Sequence, residues 1–160
     1  MLSCAEPFAN DPAPGDPVRL IEVTKPPKLM SGNYGLVSTA EDYTHFMPML
    51  INGGTRDGVR ILGLKTVRYM TSDQIGSVRG PIYAPGPGYG FGLGVTVRLT
   101  DGQTPYPGSV GDYGWADAAG RIFWVDPKED LTTVLIAQRF GGWVHYNRVI
   151  RTLVYQSLDR

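Results

Sequence analysis

From Gly86 to Gly94 every second residue is glycine, and the intervening positions hold Pro87, Tyr89, Phe91 and Leu93. Each glycine in a helix interior costs about 1 kcal/mol relative to alanine, so a helix here is excluded. A period of two belongs to a β-strand. The pattern runs on through Val95 and Val97, which predicts one strand over Tyr89–Arg98 with Tyr89, Phe91, Leu93, Val95 and Val97 on one face. Gly90, Gly92 and Gly94 leave the other face bare, as the close approach of another backbone or a helix requires. The spacing matches neither GxGxxG nor the P-loop, so no phosphate cradle is implied.

The strand has helical company. Ser38-Thr39-Ala40-Glu41 reads as a capping box, with Ser38 accepting from the residue 41 amide and Glu41 reaching back. Tyr43, Phe46, Met47, Leu50 and Ile51 then form one apolar stripe at helical spacing, and Gly53-Gly54 ends the helix. Asp57-Gly58 marks a turn, and Leu64–Thr71 a shorter helix with Leu64, Val67 and Met70 inward. Two further strands are expected, at Tyr113–Val125 and Leu131–Gln138, joined as an antiparallel hairpin by Asp126-Pro127-Lys128-Glu129-Asp130. A closing helix over Val144–Leu158 puts Tyr146, Val149, Ile150, Leu153 and Val154 on one side. This order predicts an α+β fold, an antiparallel sheet covered by helices. Residues 1–30 carry six prolines around a short strand-like run at Val18–Val23 and read as an irregular lead-in to a domain over 31–160.

Composition excludes several functions. Fifteen basic and fifteen acidic side chains cancel, without a basic cluster, so no nucleic-acid partner is expected. The one cysteine, Cys4, forms no internal disulfide framework or Cys-based zinc site. His45 and His145 lie far apart with no ligand motif, and neither metal nor cofactor is implied. No apolar run is long enough to cross a bilayer. With a free thiol and no export signal in this sequence, the expectation is a reducing, cytoplasmic setting. Asp112, Asp117, Asp126 and Asp130 form no evident catalytic pair and read as turn residues or solvated charges. Ser31-Gly32-Asn33 superficially matches a Ser-x-Asn element, a three-residue pattern that chance supplies often.

The ordered series of segments is more specific. Tyr34-Gly35-Leu36-Val37-Ser38-Thr39-Ala40-Glu41-Asp42 enters the capped helix, and Tyr89-Gly90-Phe91-Gly92-Leu93-Gly94 opens a strand. Tyr113-Gly114-Trp115-Ala116-Asp117-Ala118-Ala119-Gly120 leads into Phe123-Trp124-Val125-Asp126-Pro127, and Leu131–Gln138 follows. From about residue 30 onward this resembles the C-terminal part of the serine β-lactamase-like hydrolases, which include class C β-lactamases, esterases and D-alanyl-D-alanine peptidases. The esterase-like branch, where Trp-Gly-Gly often replaces Lys-Thr-Gly, is the most similar.

The resemblance implies acyl-enzyme chemistry on an ester or lactam. It makes Trp115-Ala116-Asp117 the third motif, the Ala118 amide an oxyanion donor, and Tyr34 a wall of the substrate pocket. It also marks what this sequence does not contain. None of the seven serines begins a Ser-x-x-Lys, and no Tyr-x-Asn occurs. Neither a nucleophile nor its base is therefore identifiable, and Ser109 as an unaided nucleophile has no base of suitable spacing. Ala116 and Asp117 stand where the family has glycine, and a carboxylate beside an oxyanion would oppose the charge that develops there. An oxyanion donor is worth about 3–4 kcal/mol.

Three readings follow. The chain supplies the pocket wall and oxyanion amide of a hydrolase completed by the missing N-terminal half of the domain. Alternatively it is a self-standing, non-catalytic binding module derived from that fold, or an esterase working through Ser109. Half a domain should also expose a sheet edge and an apolar helix face, inviting self-association.

Overall fold

A computed structural model describes residues 36–77, 86–137 and 141–158. Ten elements follow one another in this region. They are α1 (Ala40–Ile51), β1 (Thr55–Arg56), β2 (Val59–Arg60), α2 (Leu64–Met70), β3 (Tyr89–Phe91), β4 (Thr96–Arg98), β5 (Tyr113–Ala116), β6 (Ile122–Asp126), β7 (Leu131–Leu135) and α3 (Trp143–Tyr155). β1 and β2 form a small hairpin, and β3-β4-β5-β6-β7 form one antiparallel sheet in chain order. The architecture is α+β, as the element order predicts. The expected lead-in over residues 1–30 lies outside the described residues.

The ten-residue strand expected at Tyr89–Arg98 is a hairpin instead. Gly92 donates to the Val95 carbonyl at 2.8 Å and Gly94 adopts φ +81°, so the chain reverses where the glycine alternation is densest. Tyr89 then faces Arg98, and Leu93 sits in the turn, 49% exposed. Period-two spacing cannot distinguish a straight strand from one folded back on itself. The bare face has the neighbours it requires: a Cβ on Gly92 would lie 2.0 Å from the Met70 carbonyl oxygen, at the end of α2. Tyr113–Val125 likewise divides into β5 and β6, because the Asp117 amide donates to the Arg121 carbonyl and Gly120, at φ +87°, donates back to the Asp117 carbonyl to close the turn. The predicted β6–β7 hairpin is present, with Asp126 opposite Leu131.

The α1 capping box falls one residue later than the sequence pattern suggests. Thr39 Oγ1 accepts from the Asp42 amide at 3.1 Å, and Asp42 Oδ2 accepts from the Thr39 amide at 3.2 Å. Overlapping boxes were encoded at 38–41 and 39–42; Ser38 instead adds a hydroxyl bond to Asp42. Pro48 sits inside α1 and cannot donate to the Thr44 carbonyl. Arg56 Nη1 meets that need, donating to the Thr44 and His45 carbonyls at 3.2 and 2.7 Å.

α1 packs Met47, Met49 and Leu50 on the sheet face that carries Val97, Tyr113 and Val125, with Tyr43, Phe123 and Val134 at its margin. Phe46, expected in the same stripe, is 44% exposed. On α2, Val67 is buried, whereas Leu64, also expected inward, is largely exposed. α3 lies over the opposite face, where the Arg151 guanidinium covers the Trp124 ring at 4.6 Å. Its buried residues are Asn147 and Arg151, not the apolar stripe the sequence predicts. Val144, Val149 and Leu153 face outward. The helix is turned by Asp112, fully buried beneath it, to which Arg151 donates. Among the described residues no helix is long and apolar enough to cross a membrane.

Candidate functional site

A cavity of about 190 Å³ opens between the β5–β6 end of the sheet and the start of α3. Trp115, Ala116, Asp117 and Ala118 line it from the sheet, and Trp143, Asn147 and Arg151 from the helix. The segment singled out in the sequence therefore forms one wall. Trp115 is cross-strand partner to Phe123 and meets Phe91 edge-on at 5.4 Å, and the residue is 41% exposed. Tyr34 lies outside the described residues, as does Ser31-Gly32-Asn33.

Asp117 behaves differently from the expectation that its carboxylate would disturb the site. Oδ1 accepts from the Ala119 and Arg121 amides at 2.8 and 3.2 Å. Oδ2 pairs with Arg121 Nε at 2.5 Å. The negative charge is thus turned into the β5–β6 hairpin, a local Asx-type turn. The Asp117 amide is also engaged, donating to the Arg121 carbonyl at 2.9 Å. Its neighbour is not: among the described residues the Ala118 amide has no acceptor, while the Ala118 carbonyl accepts from Gly141 at 3.0 Å. The groups on either side of it, the Asp117 amide and the Ala118 carbonyl, are both held by hydrogen bonds.

Sequence reasoning missed the other wall. Arg98 Nε and Arg151 Nη1 both donate to Asp112 Oδ2, at 2.8 and 2.9 Å, and all three side chains are buried. Burial pushes the Asp112 carboxyl above its usual range, against the opposing pull of the two guanidiniums. Arg151 Nε donates to Asn147 Oδ1, and Asn147 Nδ2 to the Tyr106 hydroxyl, both at 3.1 Å. The i,i+4 spacing of Asn147 and Arg151 was the available signal, but their partners lie far away in sequence.

Asp112 and Asp126 are not solvated charges. Both are fully buried, and Asp126 accepts from the Ser109, Lys128 and Glu129 amides and from the Tyr155 hydroxyl. Ser109 is also buried, and no His or Lys among the described residues is bonded to it. His45 and His145 are exposed on their helices.

Comparison with known proteins places this geometry. The Beta-lactamase family model matches residues 3–154. Protein Rv1367c of Mycobacterium tuberculosis is 34% identical over 120 residues, covering 71% of this chain and 30% of that protein. The chain therefore spans about a third of the length of this curated relative. Among solved structures, EstCE1, a hydrolase with promiscuous acyltransferase activity, superposes with a TM-score of 0.62 and 25% identity over 72% of this chain and 29% of its own. A penicillin-binding protein homologue from Caulobacter crescentus shares the fold, with a TM-score of 0.54 and 20% identity over 71% of this chain and 30% of its own. The family match runs over most of the chain and the fold superposes on that of a solved hydrolase: the chain belongs to the Beta-lactamase family.

Proposed function

We propose that this chain supplies the C-terminal part of a serine acyl-transfer site, with Trp115 lining the pocket and the Ala118 amide donating to the developing oxyanion. The observation that carries this reading is the Ala118 N–H at the cavity wall, which has no acceptor among the described residues, next to an Asp117 carboxylate held in the β5–β6 turn and paired with Arg121. The nucleophile and its base come from outside this sequence, which holds no Ser-x-x-Lys and no Tyr-x-Asn. The ligand is a small ester or acyl compound, bound once the site is completed. Tyr34 takes the place of a pocket-wall tyrosine, and residues 31–160 act as one segment of the domain behind an irregular lead-in.

Two exposed features support completion by another part of a β-lactamase-related domain. Among the described residues no backbone hydrogen bond leaves β7 on the side away from β6, and α3 presents Val144, Val149 and Leu153 outward. Such an edge and face also favour self-association. The opposite edge is closed, since Gln74 donates to the Phe91 carbonyl and Phe91 to Asp73.

The test is assay of the pure chain against a chromogenic butyrate ester and a fluorophosphonate serine probe. Neither turnover above buffer nor labelling is expected. Co-expression with a polypeptide carrying Ser-x-x-Lys and Tyr-x-Asn should produce both. Turnover by the chain alone, abolished by Ser109→Ala, would overturn the reading. A second reading, a non-catalytic interaction module, draws on Ala116 and Asp117 standing where the family has glycine. It predicts a monomeric, cooperatively folded chain that remains inert on co-expression.

A further inference from the structure

From Asp57 to Tyr69 every residue except Leu62 and Val67 is exposed. Four large apolar side chains stand in water there: Val59 at 63%, Ile61 at 61%, Leu64 at 46% and Tyr69 at 60%. Single exposed apolar residues are ordinary, but these fall on two short adjoining elements, the β1–β2 hairpin and α2. Both elements are seated on the end of α1. The Gly54 carbonyl accepts from the Ile61 and Leu62 amides at 2.8 and 3.0 Å, and a Cβ on Gly53 would lie 2.7 Å from Leu64 Cδ1. On α2, Leu64 and Arg68, and Lys65 and Tyr69, are pairs at i,i+4 spacing and so neighbours on its surface.

The charges among them have one sign. Asp57 is the only acid between residues 43 and 72, and it pairs with Arg56 at 3.1 Å. Arg60, Lys65 and Arg68 are exposed, and among the described residues no carboxylate pairs with them. Asp73, just beyond α2, accepts from the Ile75 and Phe91 amides. Three cations are thus interleaved with four apolar side chains. A phosphate backbone would match the cations and leave Val59, Ile61 and Leu64 in water. The headgroup layer of an anionic bilayer takes both kinds of group. The shape agrees, since a Cβ on Gly58 at the hairpin tip would meet nothing within 4 Å. A projecting tip suits a yielding interface.

We propose that the β1–β2 hairpin and α2 dock this chain on an anionic lipid surface. Val59, Ile61 and Leu64 enter the headgroup boundary, Tyr69 sits at headgroup level, and Arg60, Lys65 and Arg68 face lipid phosphates. The association is peripheral, requires no spanning helix, and stands independently of acyl transfer.

The experiment is co-sedimentation of the full chain with vesicles of phosphatidylcholine alone, or of phosphatidylcholine with phosphatidylglycerol. Binding is expected to the anionic vesicles only, and should be lost at about 1 M salt, where the Debye length falls to about 3 Å. A basic residue at such a surface is worth about 1 kcal/mol, so Arg60→Gln with Arg68→Gln should weaken binding by about 25-fold. Val59→Ser with Ile61→Ser keeps every charge and should weaken it by about tenfold or more. All four positions are exposed, so both variants should keep the fold, which circular dichroism checks. No binding to anionic vesicles, equal binding to neutral ones, or binding unchanged in the arginine pair would each overturn the proposal. So would loss in the arginine pair with no change in the serine pair, which would assign the surface to a soluble acidic partner instead.

Discussion

Arg98 donates to Asp112 across 2.8 Å with neither side chain in contact with bulk water, and the same carboxylate oxygen holds Arg151. One acid therefore ties β4 to α3. Removing it leaves two guanidiniums buried without their partner, a loss of about 3–5 kcal/mol. Asp112→Ala is expected to lower the urea midpoint by that equivalent, or to unfold the chain outright, in far-UV circular dichroism. A loss below about 1 kcal/mol would mean that water reaches the cluster freely.

Tyr113 makes the opposite case. Its ring belongs to the core under α1, but its hydroxyl is buried with no hydrogen-bond partner among the described residues. Leaving a polar group so placed costs about 1–3 kcal/mol, so Tyr113→Phe should be neutral or stabilising at pH 7. Burial also pushes the phenol up to about 12 from its ordinary 10. Above pH 10 the unfolded chain releases this proton while the folded chain keeps it, so the unfolded state binds fewer protons and stability falls as pH rises. The loss runs from about pH 10 to 12 and is on the order of 2 kcal/mol for this group. Tyr89 and Tyr155, also raised by burial, contribute with the same sign. Tyr113→Phe should therefore flatten the alkaline slope without abolishing it, which denaturation midpoints at pH 9 and 11 would record.

The start of α1 offers a test of register. Thr39 is the cap and Ser38 an auxiliary partner of Asp42. Thr39→Ala should cost about 1 kcal/mol, whereas Ser38→Ala should stay within about 0.5 kcal/mol. Hydrogen bonds from the Thr39 hydroxyl, and then its amide, hold the Asp42 carboxyl below its ordinary 3.8. A depressed carboxyl lends stability above that value and loses it as pH falls below, so the wild-type helix should weaken in acid more steeply than Thr39→Ala. Equal sensitivity in the two serine and threonine variants would return the cap to Ser38.

Much of the fold was legible because local chemistry encodes it. The helix stripe ending at Gly53-Gly54, the Asp126–Asp130 turn and the bare glycine face each follow from a few adjacent residues. Two hairpins read as single strands, since a turn built from glycine, or from an aspartate that folds back on its own amides, does not interrupt the alternation. The inward face of α3 was hidden for a different reason. Hydrophobicity points Val149 and Leu153 at the sheet, and partners far off in sequence reverse that: Asp112, 39 residues from Arg151, and Tyr106, which accepts from Asn147. Long-range pairing of buried charges has no sequence period. Trp115 to Ala118 could be located from motif order, while the cavity opposite them depends on Asn147 and Arg151, which resembled ordinary surface residues.

Asp117 joins the hairpin to the site. Its Oδ1 organises the Ala119 and Arg121 amides, and its Oδ2 reaches Arg121 in an ion pair whose side chains are 37% and 46% exposed. Solvent screens a pair this open, so charge should matter little and the acceptor geometry much. Asp117→Asn keeps the Oδ1 acceptor and is expected to change stability by less than about 0.5 kcal/mol. Asp117→Gly removes it and frees the backbone, costing about 1–2 kcal/mol. Amide hydrogen exchange should show the same order locally, with faster exchange at Ala119 and Arg121 in the glycine variant alone. If Asp117→Asn proved as damaging as Asp117→Gly, the Arg121 charge pair rather than the turn would be what holds the Ala118 amide in place.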